Sequence, residues 1–160
     1  MASITYTLEL APTAEGAPYY ANIAGPRLSD DAGVDLFVVS GALVAVGEPC
    51  LLSLGVRARM VRDDTGESVH FTVEPRSSIF KARLVMANSR GVIDRSYRGE
   101  LRAPVWAAPG CAAASVQAGT RLFQVLAPGL GNITFVRMTS ASAWDATERG
   151  EGGFGSTGTR

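Results

Sequence analysis

Alternation of apolar and polar residues is the first regularity the chain shows. From Ser3 to Leu10, Ile4, Tyr6, Leu8 and Leu10 fall on one side and Ser3, Thr5, Thr7 and Glu9 on the other. A period of two predicts a half-buried β-strand. Apolar, β-leaning runs recur at 35–39, 42–46, 50–61, 69–73, 84–87, 101–107, 121–126 and 133–138. Turn-forming clusters such as Ser40-Gly41, Gly47-Glu48-Pro49 and Asp63-Asp64-Thr65-Gly66 separate them. Residues 11 to 33, punctuated by Pro12, Pro18 and Pro26, read as a long ordered loop. One brief helix is predicted over Ser77 to Arg83, with Ser as its cap and Ile79, Phe80 and Arg83 at helical spacing. About ten strands with at most one short helix predict an all-β jelly roll or barrel.

Within that pattern, Gly91-Val-Ile-Asp-Arg-Ser-Tyr-Arg-Gly-Glu100 reads as strand, turn and strand, with Asp94 and Tyr97 between glycines. A carboxylate and a phenol on a glycine-flanked tip suit a ligand site. A surface turn carrying the same two residues is the plainer alternative.

Composition narrows the picture. A chain of 160 residues, 46% hydrophobic and 19% charged, suits one domain with a proper core. Fifteen basic and fifteen acidic residues cancel, which argues against a generic nucleic-acid or membrane-surface binder. Locally the balance differs. Arg76, Lys81, Arg83, Arg90, Arg95, Arg98 and Arg102 face only Asp94 and Glu100 in the same stretch, so a small polyanion is a suitable ligand. Two cysteines, Cys50 and Cys111, make no disulfide framework, and Met1 to Leu10 lacks a signal-peptide layout, so an intracellular, reduced protein is expected. No apolar run approaches the ~18 residues of a membrane span. The lone His70 excludes a histidine-rich metal centre and reads as an ordinary strand residue.

From Ser142 the character changes, and the ten residues Arg149 to Gly158 contain five glycines. The expected division is a 1–141 domain and a mobile 142–160 arm. Gly150-Glu-Gly152-Gly-Phe-Gly155 matches GxGxxG in letters only, because no strand and βαβ unit precede it.

Five stretches in order resemble the homotrimeric dUTP pyrophosphatases (dUTPases): Ala32-Gly-Val-Asp-Leu36, Pro75-Arg-Ser-Ser78, Gly91-Val-Ile-Asp-Arg-Ser-Tyr-Arg-Gly99, Gly119-Thr-Arg-Leu-Phe-Gln124, and Arg149-Gly-Glu-Gly-Gly-Phe-Gly-Ser-Thr-Gly158. The resemblance implies a jelly-roll subunit, a homotrimer, and dUTP hydrolysis to dUMP and pyrophosphate at sites shared between subunits. It implies that the first, second and fourth motifs line the phosphate side. A neighbouring subunit would supply the 91–100 hairpin and the third subunit its arm.

Residue by residue, Asp94 matches the carboxylate that deprotonates the attacking water, and Tyr97 the ring that leaves no room for a ribose 2′-hydroxyl. Main chain around Gly91 and Ile93, with Asn88, would read uracil. Arg76, Ser77, Ser78 and Gln124 match phosphate contacts. Asp35 matches the acid that approaches Mg²⁺ through water. On the arm, Arg149 and Ser156 would meet the distal phosphates, Phe154 would stack on the base, and Gly155 would let backbone donors close in.

Three positions depart from the family's common pattern: Ser78 for Gly, Thr120 for an acid, and Phe123 for a small residue. None removes a catalytic group, so altered constants are expected rather than loss of activity. Alternatives are a regulatory dUTPase-like protein that uses the nucleotide site as a switch for protein binding, and a relative of the dCTP deaminases. Cytoplasmic or nuclear placement is expected.

Overall fold

The apolar runs fold as short strands because glycine and turn clusters cut them before they can lengthen. The computed structural model describes residues 3–28 and 30–155. In chain order the strands are β1 (Thr5–Pro12), β2 (Gly25–Pro26), β3 (Gly33–Phe37), β4 (Ala42–Ala45), β5 (Cys50–Ser53), β6 (Val56–Arg62), β7 (Ser68–Val69), β8 (Phe71–Pro75), β9 (Leu84–Met86), β10 (Gly91–Ile93), β11 (Arg102–Ala107), β12 (Ala113–Val116), β13 (Arg121–Leu126) and β14 (Asn132–Met138). They form a jelly-roll-like body of four sheets, ordered β2-β14-β1-β6-β7, β10-β8-β13-β3, β5-β11-β9 and β12-β4.

Several expectations need refining. The 11–33 loop contains a four-residue helix, α1 (Ala17–Tyr20), and further 3-10 turns lie at Ser77–Ala82, Pro128–Leu130 and Ala141–Ala143. The Ser77–Ala82 turn starts from Arg76 without a side-chain cap, so serine does not serve as the predicted cap. The 50–61 run breaks at Gly55, whose φ of +62° ends one strand and starts the next. Within 91–100 only Gly91–Ile93 is strand, and β10 and β11 belong to different sheets. The stretch is therefore a crossover turn rather than a hairpin.

The core joins Leu8, Leu10, Leu36, Leu54, Met60, Phe71, Phe123 and Ile133. Tyr20 is fully buried within it, donating to the Leu54 carbonyl at 2.7 Å and accepting from the Phe37 N–H at 3.1 Å. Burial pushes its phenol far above the ordinary range.

β1 is buried on both faces, against the half-buried expectation, because distant chain covers its polar side. Thr7 donates to Asp63. Glu9, 5% exposed, accepts from Arg59 at 2.8 Å, Arg137 at 3.0 Å and the Trp144 indole at 3.0 Å. This carboxylate ties β1, β6 and β14 to the root of the C-terminal segment. Glu9→Ala strands Arg59 and the Trp144 N–H, and should lower unfolding stability by about 3 kcal/mol, towards the low end for a broken buried pair because Arg137 is largely exposed. Denaturant unfolding at matched protein concentration measures it, and a change under about 1 kcal/mol would be too small for a broken buried pair.

Candidate active site

One sheet carries two half-sites. At its β3 edge, the β3–β13 register sets Gln124 opposite Asp35. A register shift between Arg121 and Phe123 leaves Leu122 as an extra residue, so Leu122 and Phe123 are buried in succession while Arg121 turns outward. Asp35 then binds two cations: Oδ1 pairs with Arg76 Nε at 2.8 Å and Oδ2 with Arg121 Nη1 at 3.2 Å. Arg76 also donates to the Arg121 carbonyl at 3.0 Å. These three residues, with Gly33, Ser77 and Gln124, line a cleft of about 580 Å³. A Cβ at Gly33 would lie 2.3 Å from Gln124 Oε1, so a side chain there would make the amide shift. A guanidinium carries five N–H donors. Both arginines therefore keep donors for an anion.

At the other edge, β10 has β8 as its one sheet neighbour among the described residues. Its outer main-chain groups are open. Beyond Ile93 the chain turns, with Tyr97 N–H donating to the Asp94 carbonyl at 2.9 Å. Tyr97 folds back so that its hydroxyl donates to the Glu100 carbonyl at 2.9 Å. A Cβ at Gly99 would fall 2.4 Å from that hydroxyl oxygen, so the ring's position requires glycine there. Burial raises the Tyr97 phenol above its ordinary range, with Arg102 opposing. It stays a neutral donor.

The C-terminal segment completes this half. Arg98 N–H donates to the Gly150 carbonyl at 2.8 Å, Thr147 Oγ1 to the Ser96 carbonyl at 2.5 Å, and Arg57 pairs with Glu151 at 2.9 Å. Arg149 Nη1 thereby reaches Asp94 Oδ2 at 2.6 Å. Asn88, Gly91, Ile93, Asp94, Tyr97, Arg149 and Phe154 line one cleft of about 200 Å³. In this single chain the arm lies on its own turn, where an arm lent by another subunit was expected.

The two clefts share no lining residue. Asp94 lies beside His70, just before β8, and Asp35 beside Arg76, just after it. Five residues, Phe71–Pro75, lie between His70 and Arg76, so six steps of extended chain put these two about 20 Å apart at ~3.3 Å per residue.

Most expected site residues thus fall into two groups. Ser78 and Gly155 line neither cleft, and Ser156 lies outside the described residues. Thr120 satisfies its hydroxyl on the Gln117 carbonyl at 2.6 Å. Phe123 is wholly buried in the core. Two contributors escaped the sequence reading. Arg121 was quoted in the fourth motif without a role. His70, read as a strand residue, instead separates β7 from β8 and sits 3.3 Å from Asp94. Among the described residues no cluster of three or more His, Cys, Asp or Glu could hold a metal. No helix among them is long and apolar enough to cross a membrane.

Known proteins provide the comparison for this arrangement. The Clostridium kluyveri deoxyuridine 5′-triphosphate nucleotidohydrolase is 32% identical over 143 residues, spanning 89% of this chain and 90% of its own length. That of Mycobacterium tuberculosis is 32% identical over 134 residues, spanning 80% and 82%. In structure, the dUTPase of Streptococcus mutans aligns with a TM-score of 0.60 at 23% identity, covering 74% of this chain and 92% of its own. The dUTPase of Staphylococcus bacteriophage 80alpha, solved with dUpNHpp, aligns at 0.57 and 18% identity, covering 95% and 98%. The latter two likenesses speak for the fold. Because the dUTPase family model matches residues 19–158 and relatives above 30% identity extend over most of the chain, this chain belongs to the dUTPase family.

Proposed function

We propose that the protein hydrolyses dUTP to dUMP and pyrophosphate, with Asp94 as the general base. The carrying observation is the cleft that brings Asp94, Tyr97, Arg149 and Phe154 together beside the open edge of β10. Asp94 takes a proton from water, the water oxygen bonds to the α-phosphorus, and the bond from that phosphorus to the bridging oxygen breaks to release pyrophosphate. Tyr97 packs under the deoxyribose and excludes a 2′-hydroxyl. Main-chain groups of Gly91 and Ile93, with Asn88, read uracil, and cytosine would leave buried groups unpaired.

Arg76, Ser77 and Gln124 hold the phosphates from the other cleft. On this reading each site is assembled by more than one subunit. The 142–160 arm closes over a site shared with a neighbour. The assembly in this reading is a homotrimer, and burial of the outer face of β5-β11-β9, where Leu51 opposes Pro104 and Val85 opposes Trp106 in an apolar patch, would favour association. Light scattering in solution reads the mass.

A Mg²⁺ bound to the triphosphate would supply charge neutralisation at the phosphates. Asp35 fits a contact through water, since each oxygen holds one arginine and a carboxylate oxygen has a second lone pair. The protein would act in an intracellular compartment.

A pyrophosphate-release assay with dUTP, UTP, dCTP and dTTP tests the reading. Wild type should turn over dUTP alone, and Tyr97→Ala should gain UTP turnover by about tenfold or more as the steric gate opens. A wild type inert to dUTP would sink the proposal. A Tyr97→Ala variant still as selective would remove the gate.

A further inference from the structure

The β8–β10 register pairs Phe71 with Ile93, so the next residue outward on each strand, His70 and Asp94, meet past the end of the ladder. His70 Nδ1 lies 3.3 Å from Asp94 Oδ1 and 3.2 Å from the Arg95 nitrogen, whose N–H it accepts. One imidazole nitrogen carries either a lone pair or a proton. It cannot accept from Arg95 and donate to Asp94 at the same time.

We propose that His70 is a positioning residue that couples Asp94 to pH. Neutral, with its proton on Nε2, His70 receives the Arg95 N–H, and its Nδ1 lone pair faces Asp94 Oδ1 without bonding it. That oxygen is left to a water. Protonated, His70 donates from Nδ1 to Oδ1. A carboxylate whose oxygen is held by an imidazolium is a poorer base, whether or not Arg149 still pairs with Oδ2 at 2.6 Å.

The surrounding groups suit such an exchange. The Arg95 carbonyl accepts from Ser68 Oγ at 3.3 Å and from Arg98 Nη1 at 2.9 Å, so the turn stays anchored while its N–H changes partner. Asp94 is the only carboxylate paired with His70 among the described residues, and Arg149 is the cation facing it from the arm. The His70 side chain is 61% exposed, which gives Nε2 access to solvent protons.

Imidazole is the side chain whose charge ordinarily changes between pH 5 and 8. The direction is fixed: activity is full where His70 is neutral and is lost as pH falls and it gains a proton. This rests on Asp94 being the base.

The test is kcat/KM for dUTP from pH 5.5 to 8.5 in wild type, His70→Gln, His70→Ala and Asp94→Asn, with saturating Mg²⁺. Titration of the nucleotide itself is common to all and cancels between them. The pH 8 to pH 5.5 ratio should be at least about threefold smaller in both His70 variants than in wild type. The change should appear in kcat rather than KM. A ratio the same in wild type and both variants overturns the proposal. Asp94→Asn turning over dUTP as fast as wild type, or a wild type without turnover, overturns the base assignment instead.

Discussion

Asp94→Asn should leave the protein folded and lower kcat for dUTP by at least about 10³-fold, within the range that a positioned general base contributes. The amide keeps the size and can still accept a hydrogen bond, but it cannot take the proton that water must give up. Ligand position depends mostly on other groups, namely the β10 edge, Tyr97 and the phosphate cleft, so KM should move far less than kcat. Stability should hardly change. Asp94 and Arg149 are each about one-third exposed, and a pair that solvent reaches contributes on the order of 1 kcal/mol or less. Two other results are informative: loss of kcat with loss of folding would leave no evidence for a base, and kcat within tenfold of wild type would place the base elsewhere. The same variant also separates the regulatory alternative, because a nucleotide-gated binding module would still switch on dUTP when hydrolysis is gone.

How far the sequence led differs between fold and site. Alternation located most strands, since period two marks a strand wherever one face meets the core. It could not tell that β1 is covered on its polar side as well, because Glu9 is closed off by Trp144, 135 positions later. The Ala113–Val116 strand went unread, as alanine and serine give little β signal. For the site, residue types were legible in the five motifs, down to Asp94 and Tyr97. Their relative placement was not. That Asp35 and Asp94 lie towards opposite ends of β8, and that His70 meets Asp94, follow from strand register and direction, which local sequence does not encode. The 91–100 stretch was read as a hairpin because both flanks look extended, yet its two sides enter different sheets.

Removing Arg149 to Arg160 should leave a folded protein with kcat/KM for dUTP reduced on the order of 10² to 10³-fold, comparable to losing a preorganised charged donor at a phosphoryl centre. The cut falls after the residues that matter for folding: Trp144 stays on Glu9 and Thr147 on the Ser96 carbonyl, so the root of the arm remains docked. Cutting before Trp144 should differ, exposing the Glu9 cluster and costing stability as well as turnover. The arm's own contacts lower the cost of closure. Fixing about ten residues costs on the order of 10 kcal/mol in backbone entropy, and stacking Phe154 on a base returns only ~1 to 3. Part of that ordering is already borne by the chain itself, through Arg98 to Gly150, Gly152 to Arg149 and Arg57 to Glu151. The substrate's phosphates need then order less of the arm, and must draw Arg149 away from Asp94 as they do so. Nucleotide without a γ-phosphate should close the arm poorly, so dUDP should distinguish full-length from truncated protein much less than dUTP does. Equal turnover of dUTP by both proteins would remove the arm from the mechanism.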